Sequence, residues 1–308
     1  MNRSKIYLYA VFYFLLTAFL LYVLIREEKV GKIIGLKREK ITAAVLECFH
    51  VTKGKAATVI RNVIWLLEFV ISTLLILFLI RTFYLGNFVV PTGSMIPTIL
   101  EQDRLFANMA VYRFRKPRVG EIFIFKEPVT DKDLYTKRVM GLPGDRVSIR
   151  DDSLYINDKK TGQREYVNAG KLGYDTWLVP KRGDLVEIIP KMDYTAFLRG
   201  RKINVEEVQK HLMDDLYEID KVLPDLEVRV NGEKTGMLLD VLHEKKQLQK
   251  LMEGETLRFT LEKDYYFALG DNTRNSFDSR MWGFVAEDRI KGRPLIRFWP
   301  LKRVGILR

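Results

Sequence analysis

"ETLRFTLEKDYYFALGD", residues 255–271, decides how the long C-terminal part of the chain is read. Apolar and polar residues alternate along it, which places successive side chains on opposite faces of an extended strand. It is rich in Leu, Phe and Tyr and ends on Gly270-Asp271, residues that favour a turn. The same pattern returns in "RVGEIFIFKEP" (118–128), "RVSIRDDSLYIND" (146–158), "LEVRVNGEKT" (226–235) and "RIKGRPLIRFWPL" (289–301). From Arg81 onward the chain therefore reads as mostly β, with Gly, Pro, Asn and Asp between the runs. Asn231-Gly232 is a two-residue hairpin signal. "LYINDKK" and "VRVNGEK" resemble each other only as one hairpin resembles another, and no longer repeat is present.

Two stretches break the alternation. In "NVEEVQKHLMDDLYEIDKVL" (204–223), Asn204 and Glu207 form a capping-box arrangement, and Val205, Val208, Leu212, Leu216 and Ile219 recur at helical spacing. "MLLDVLHEKKQLQKLMEG" (237–254) reads as a second helix. Both lie within 151–257, which reads as a helix-containing insertion in a β domain formed by 82–150 and 258–308.

Before Arg81 the composition changes. "IYLYAVFYFLLTAFLLYVLI" (6–25) carries no charge and matches the thickness of a hydrocarbon core. It is too long for the apolar part of a cleavable leader, and no A-x-A site follows it. "VIWLLEFVISTLLILFLI" (63–80) is nearly as long and holds one charge, Glu68. Glu68 reads either as a residue near the interface reaching headgroup water or as an interhelical contact, the first being favoured. The chain thus divides into a first membrane helix with a short exported start (1–25), a basic loop (26–62), a second membrane helix (63–81) and an exported domain (82–308). Lys and Arg outnumber Asp and Glu in 26–62, so the positive-inside rule puts that loop in the cytoplasm and the rest of the polar chain outside.

The net charge of +12 has much of its excess beside the membrane spans. Attraction to anionic lipid accounts for it more simply than nucleic acid does, so the expected surface partner is a phospholipid bilayer. The single cysteine, Cys48, falls in the cytoplasmic loop, which excludes an internal disulfide and a Cys-ligated zinc. No cofactor and no metal are expected.

Three polar stretches remain: "VVPTGSMIPTIL" (89–100), "YTKRVMGLPGD" (135–145) and "ALGDNTRNSFDSRMWGFV" (268–285). Ser94 sits between Gly93 and Met95, with Pro91 and Pro97 stiffening the loop. A nucleophilic serine needs a base. His50 lies on the cytoplasmic side, and His211 and His243 fall on polar faces of the predicted helices, so a Ser-His-Asp triad is not supported. Lys137 is the alternative. Alternation turns it inward with Tyr135 and Val139 while Arg138 takes the other face. A lysine working near neutrality needs a downward shift of about three units, or roughly 4 kcal/mol, which burial or like charge supplies. Taken alone, Ser94 reads equally as a turn cap and Lys137 as a solvated strand edge. Ser276 is placed to orient an amine, and Asp278 with Arg280 to stiffen the Gly-led loop; the EF-hand spacing is not met there.

In series, "PTGSMIPT", "KRVMGLPGD" and "GDNTRNSFDSRMWG" resemble the three motifs of bacterial type I signal peptidases (leader peptidases). "RLFANMAVYRFRKPRVGEIFIF" and "GFVAEDRIKGRPLIRFWPL" resemble that family's framework, so the likeness covers about 63–150 and 258–303. The resemblance implies an antiparallel-sheet domain of the type shared with Ser-Lys self-cleaving repressors, here anchored by two N-terminal transmembrane helices. It implies a serine protease that removes signal peptides from exported preproteins at A-x-A sites, in a bacterial inner membrane. Position by position it makes Ser94 the acylated nucleophile, Lys137 its general base and Ser276 the hydrogen-bond partner of the amine. Thr92 and the Ser94 backbone N–H become the oxyanion site, and Arg138–Asp271 and Asp278–Arg280 supporting ion pairs. Phe88, Val90, Met95, Ile99, Tyr135 and Thr136 become substrate-pocket walls. Other readings are a peptidase dedicated to one exported substrate and an inactive relative acting as an assembly factor; intact Ser94, Lys137 and Ser276 argue against the second. Phe83, Phe88 and Trp299 read either as core or as an apolar patch resting on lipid.

Overall fold

A computed structural model describes residues 3–25, 27–51, 53–128, 131–161, 165–167, 176–191 and 226–307. The chain divides into two compact units, Met1–Leu85 and Gly86–Arg308.

The first unit is helical. Its elements are α1 (Arg3–Ile25), α2 (Glu27–Cys48) and α3 (Lys55–Phe83). Among the described residues only α3 is long and apolar enough to cross a bilayer, with a mean hydropathy of 2.7 over its most apolar window. Its apolar side chains, such as Phe69, Ile71, Leu74 and Phe78, stand exposed, as a lipid-facing helix requires. In α1 the described apolar stretch is shorter, Val11–Val23. The segment expected as a loop, 26–62, is largely helix: nothing in "KIIGLKREKITAAVLEC" stops α2, and Gly54, at φ 96°, is where α3 begins. Glu68 is held by Arg38 of α2 at 3.3 Å, so of its two readings the interhelical contact is the one found. Tyr13 donates through its hydroxyl to the Phe83 carbonyl at 3.0 Å, and the Thr17 and Tyr84 hydroxyls lie 2.6 Å apart.

The second unit carries strands β1 (Leu85–Val89), β2 (Arg104–Asn108), β3 (Ile122–Lys126), β4 (Leu134–Gly141), β5 (Arg146–Arg150), β6 (Ser153–Ile156), β7 (Lys159–Thr161), β8 (Thr176–Leu178), β9 (Leu185–Pro190), β10 (Leu226–Val230), β11 (Glu233–Thr235), β12 (Leu257–Thr260), β13 (Tyr265–Leu269), β14 (Val285–Ala286), β15 (Ile290–Trp299) and β16 (Gly305–Ile306). A short helix α4 (Val111–Phe114) follows β2. The main sheet runs β1-β2-β15-β3-β4-β13-β14, with β16 beside β15, and its pairings from β2 to β14 and of β15 with β16 are antiparallel. Two four-stranded sheets, β7-β6-β5-β8 and β11-β10-β9-β12, carry most of the segment between the polar motifs.

Turn chemistry sets these hairpins. Asp151-Asp152 at φ 48° and 52°, Asn157-Asp158 at 51° and 61°, and Asn231-Gly232 at 50° and 84° each supply the two positive φ values of a tight antiparallel turn. The run 146–158, read as one strand, therefore folds back on itself as β5 and β6, with Val147 opposite Ile156. The predicted helix over 237–254 is instead two short helices, α5 (Leu239–Leu242) and α6 (Lys245–Met252), broken around His243-Glu244. The predicted helix over 204–223 lies outside the described residues.

All five residues of β13 and four of five in β3 are buried. The reason is that the small sheets cover the main one: Phe123, Val139 and Phe267 share a single core with Trp177, Val186, Val228 and Leu248. Strands of the expected insertion thus help to build the core that supports β4. A second, smaller core of Val90, Met95, Ile99, Leu105, Ile122 and Leu307 lies beneath the Ser94 loop.

Candidate active site

Ser94 sits in a single 3-10 turn, Gly93–Met95, entered from extended Thr92 at φ −129°, ψ 155°. The buried Met95 and Ile99 root the loop in the smaller core, while Pro91 and Thr92 remain exposed. The loop is gripped from its carbonyl side. The Asn272 side-chain amide donates to the Gly93 carbonyl at 3.0 Å, and the Asn272 backbone N–H donates to the Ser94 carbonyl at 3.0 Å. In a planar trans peptide the N–H points opposite its C=O, so the Ser94 N–H is directed away from Asn272. Among the described residues no acceptor takes it.

Lys137 lies in β4, opposite Phe123 of β3, and only 4% of its surface is exposed. Its amine sits 5.8 Å from the centre of the Tyr135 ring. Burial first, with Arg280 adding to the effect, pulls its pKa down from 10.5 to about 8; Asp278 and Asp271 oppose the fall. Ser94, Thr92 and Lys137 line one cleft of about 620 Å³, with Phe88, Val90, Met95, Tyr135 and Thr136 on its walls. Ile99, expected there too, does not reach the cleft: it is wholly buried in the small core.

The loop after β13 joins these parts. Arg138, on the face opposite Lys137, donates to both Asp271 oxygens, Nε to Oδ1 at 2.8 Å and Nη2 to Oδ2 at 2.6 Å. Thr98 donates its hydroxyl to Asp271 Oδ2 at 2.5 Å, which ties the Ser94 loop to the same carboxylate. Asp278, at the start of helix α7 (Ser279–Trp282), is 0% exposed and meets Arg280 in a two-pronged pair at 2.8 Å for each bond. Asp278 also accepts from the Gly270 N–H at 3.0 Å, and Arg280 reaches the Val167 carbonyl. Each of these buried charges is thereby paired and hydrogen-bonded. The two ion pairs expected from the sequence are formed.

Ser276 differs from expectation. Its hydroxyl is buried but has no hydrogen-bond partner among the described residues, so the bond to the Lys137 amine is not made. The side chain is packed against Gly270: a Cβ there would lie 2.0 Å from Ser276 Oγ and 2.5 Å from the Ser94 carbonyl oxygen. Asn272 escaped the sequence reading, as did the cleft-lining Glu101, Asp133, Leu134, Asn275 and Phe277. "GDN" marks a turn, but only the fold brings Asn272 behind a serine far away in sequence.

A hydroxyl and a shielded amine on one cleft of an antiparallel sheet define a candidate serine-lysine hydrolase. The family model described as "Signal peptidase, peptidase S26" matches residues 63–299, and the chain belongs to that family. It is 31% identical over 237 residues to "Signal peptidase I" of Buchnera aphidicola subsp. Schizaphis graminum, covering 72% of this chain and 70% of that one. "Signal peptidase I" of Aquifex aeolicus is 27% identical over 76% of this chain and 83% of its own length. "Signal peptidase IB" of Staphylococcus aureus is 26% identical over 76% and 90%.

Proposed function

We propose that this chain is a membrane-anchored serine endopeptidase that removes N-terminal signal peptides from exported preproteins, with Ser94 as nucleophile and Lys137 as base. Family membership gives the reaction, and one observation carries the assignment of residues: a buried lysine, held near 8, shares the cleft with Ser94, the only serine on its walls among the described residues. Neutral Lys137 takes the proton from Ser94 Oγ, and the oxygen attacks the carbonyl carbon of the scissile bond. The oxyanion is met by the Ser94 N–H and the Thr92 hydroxyl, donors of a kind worth about 3–4 kcal/mol each. Lys137 returns the proton to the leaving amine; water, deprotonated by the same lysine, then hydrolyses the ester. Phe88, Val90, Met95, Tyr135 and Thr136, on the cleft walls, are the side chains that would select the small residues of A-x-A precursors.

The anchor follows from α3, and the charge-free run of α1 supplies a second span. With basic α2 on the cytoplasmic side, the catalytic unit is extracytoplasmic, at the inner membrane of a bacterium. The test is precursor processing in lipid vesicles by wild type, Ser94→Ala and Lys137→Ala. Both variants should lose processing by at least a thousandfold; full activity in either removes the assignment. Efficient cutting of a precursor with a bulky residue just before the cut overturns the pocket reading.

A further inference from the structure

Among the described residues the walls of the cleft carry two carboxylates, and the only basic side chain on them is Lys137. Glu101 lies just beyond the Ser94 loop; its Oε1 is 3.0 Å from where a Cβ on Gly93 would sit, one residue from the nucleophile. Asp133 lies just before β4, four residues ahead of Lys137. Both residues are exposed, and among the described residues no cation pairs with either. Among the described residues neither carboxylate takes part in a hydrogen bond that holds the fold, although the Asp133 backbone carbonyl accepts from the Glu127 N–H at 3.0 Å; Asp103, Asp271 and Asp278, by contrast, are all buried and paired.

Their placement relates them to a bound peptide. Among the described residues Leu134–Lys137 pair with β3 on one edge only, because β13 joins β4 from Arg138 onward. The other edge of Leu134–Lys137 offers backbone groups to an extended chain. Four residues of strand span about 13 Å, so Asp133 stands beside the substrate residue about four positions from the cut. Tyr135 and Thr136, both on the cleft walls, lie between Asp133 and Lys137 along β4, which on the pocket reading above makes this the side preceding the cut. Glu101, next to Gly93, stands by the scissile bond itself.

We propose that Glu101 and Asp133 form a charge filter that favours basic and disfavours acidic precursor residues around the cut. The proposal rests on the cleft being the peptide site. Asp133 reads the fourth residue before the cut, and Glu101 reads the first residue after it. An exposed carboxylate attracts a lysine and repels a glutamate through partly screened solvent, so the preference is modest and salt-dependent.

The test uses the full chain in phosphatidylcholine vesicles, whose headgroups carry no net charge. Precursors bear Lys, Gln or Glu at each of the two positions, and kcat/KM is measured at low and high salt. The Lys-to-Glu ratio should be about fivefold for wild type at low salt and fall at high salt. It should approach one in Asp133→Asn for the earlier position and in Glu101→Gln for the later one. A ratio near one in wild type, a ratio indifferent to salt, or one unchanged in both variants overturns the filter. Failure of the cleft reading looks different: the Gln precursor would then be cut by Ser94→Ala.

Discussion

Asn272 holds Ser94 from behind, with two donors, each 3.0 Å from its acceptor, on the consecutive carbonyls of Gly93 and Ser94. The contact faces away from the cleft and touches no substrate, so Asn272 is a positioning residue. Asn272→Ala removes one hydrogen bond from the Ser94 loop, and, with Ser94 as the proposed nucleophile, a small displacement there should weaken attack far more than binding. We expect kcat to fall about tenfold with KM nearly unchanged, read from steady-state kinetics on a soluble peptide. Asn272→Asp should be worse, because an acceptor then faces the Gly93 carbonyl.

Gly270 is squeezed between the Ser276 side chain and the Ser94 carbonyl. Gly270→Ala forces one of them to move, at a cost of about 1–3 kcal/mol for such overpacking. Activity should drop together with a lower melting temperature. Ser276→Ala in the same chain should not restore it, since the Ser94 backbone oxygen still blocks the methyl group.

Lys137 links rate and stability to pH in the same direction, because both gain as its amine loses its proton. Only the neutral amine is a base, so kcat/KM should rise with pH through a midpoint near 8. In the unfolded chain the amine titrates near 10.5, so between about 8 and 10.5 the folded state binds fewer protons and wild-type stability climbs with pH. Below 8 the buried charge costs about 3 kcal/mol. Lys137→Met should therefore melt higher than wild type at pH 7, with the gap closing as pH rises toward 10.5, while processing is lost. Thermal unfolding at pH 7 and pH 10 measures the gap.

The Asp278–Arg280 pair is wholly buried, so removing one partner strands the other charge. Asp278→Ala should destabilise the chain by about 3–5 kcal/mol. Arg280 also helps to hold the lysine amine down, so in any folded fraction of Arg280→Gln the pH midpoint of kcat/KM should move upward. Denaturant titration and a pH-rate profile check the two effects.

What was legible in the sequence followed from period-two alternation and from residue types at motif spacing. The alternation of "YTKRV" placed Lys137 inward and Arg138 on the other face, as the register against Phe123 and Ile122 bears out; that other face is itself covered, where Arg138 meets Asp271. Alternation fails where both faces are covered: "YYFAL" is buried throughout, because sheets far along the chain pack over it. Turn residues were readable at Asn231-Gly232 and missed at Asp151-Asp152, where two acidic residues take left-handed backbone that glycine or asparagine usually marks. Ile99 misled because the family resemblance made it a pocket wall; only the presence of Leu105, Ile122 and Leu307 around it shows it rooting the loop in the small core. Ser276 misled through its motif position, since which neighbour a hydroxyl meets depends on a rotamer packed against Gly270.

The amine of Lys137 has a consequence for timing. With a midpoint about one unit above neutrality, roughly a tenth of resting molecules hold it uncharged at pH 7. An apolar peptide settling over the cleft strips away the last solvent and favours the uncharged form further. On the proposed role of Lys137 as base, an arriving precursor would arm the site that cuts it, and the empty cleft would rest largely disarmed.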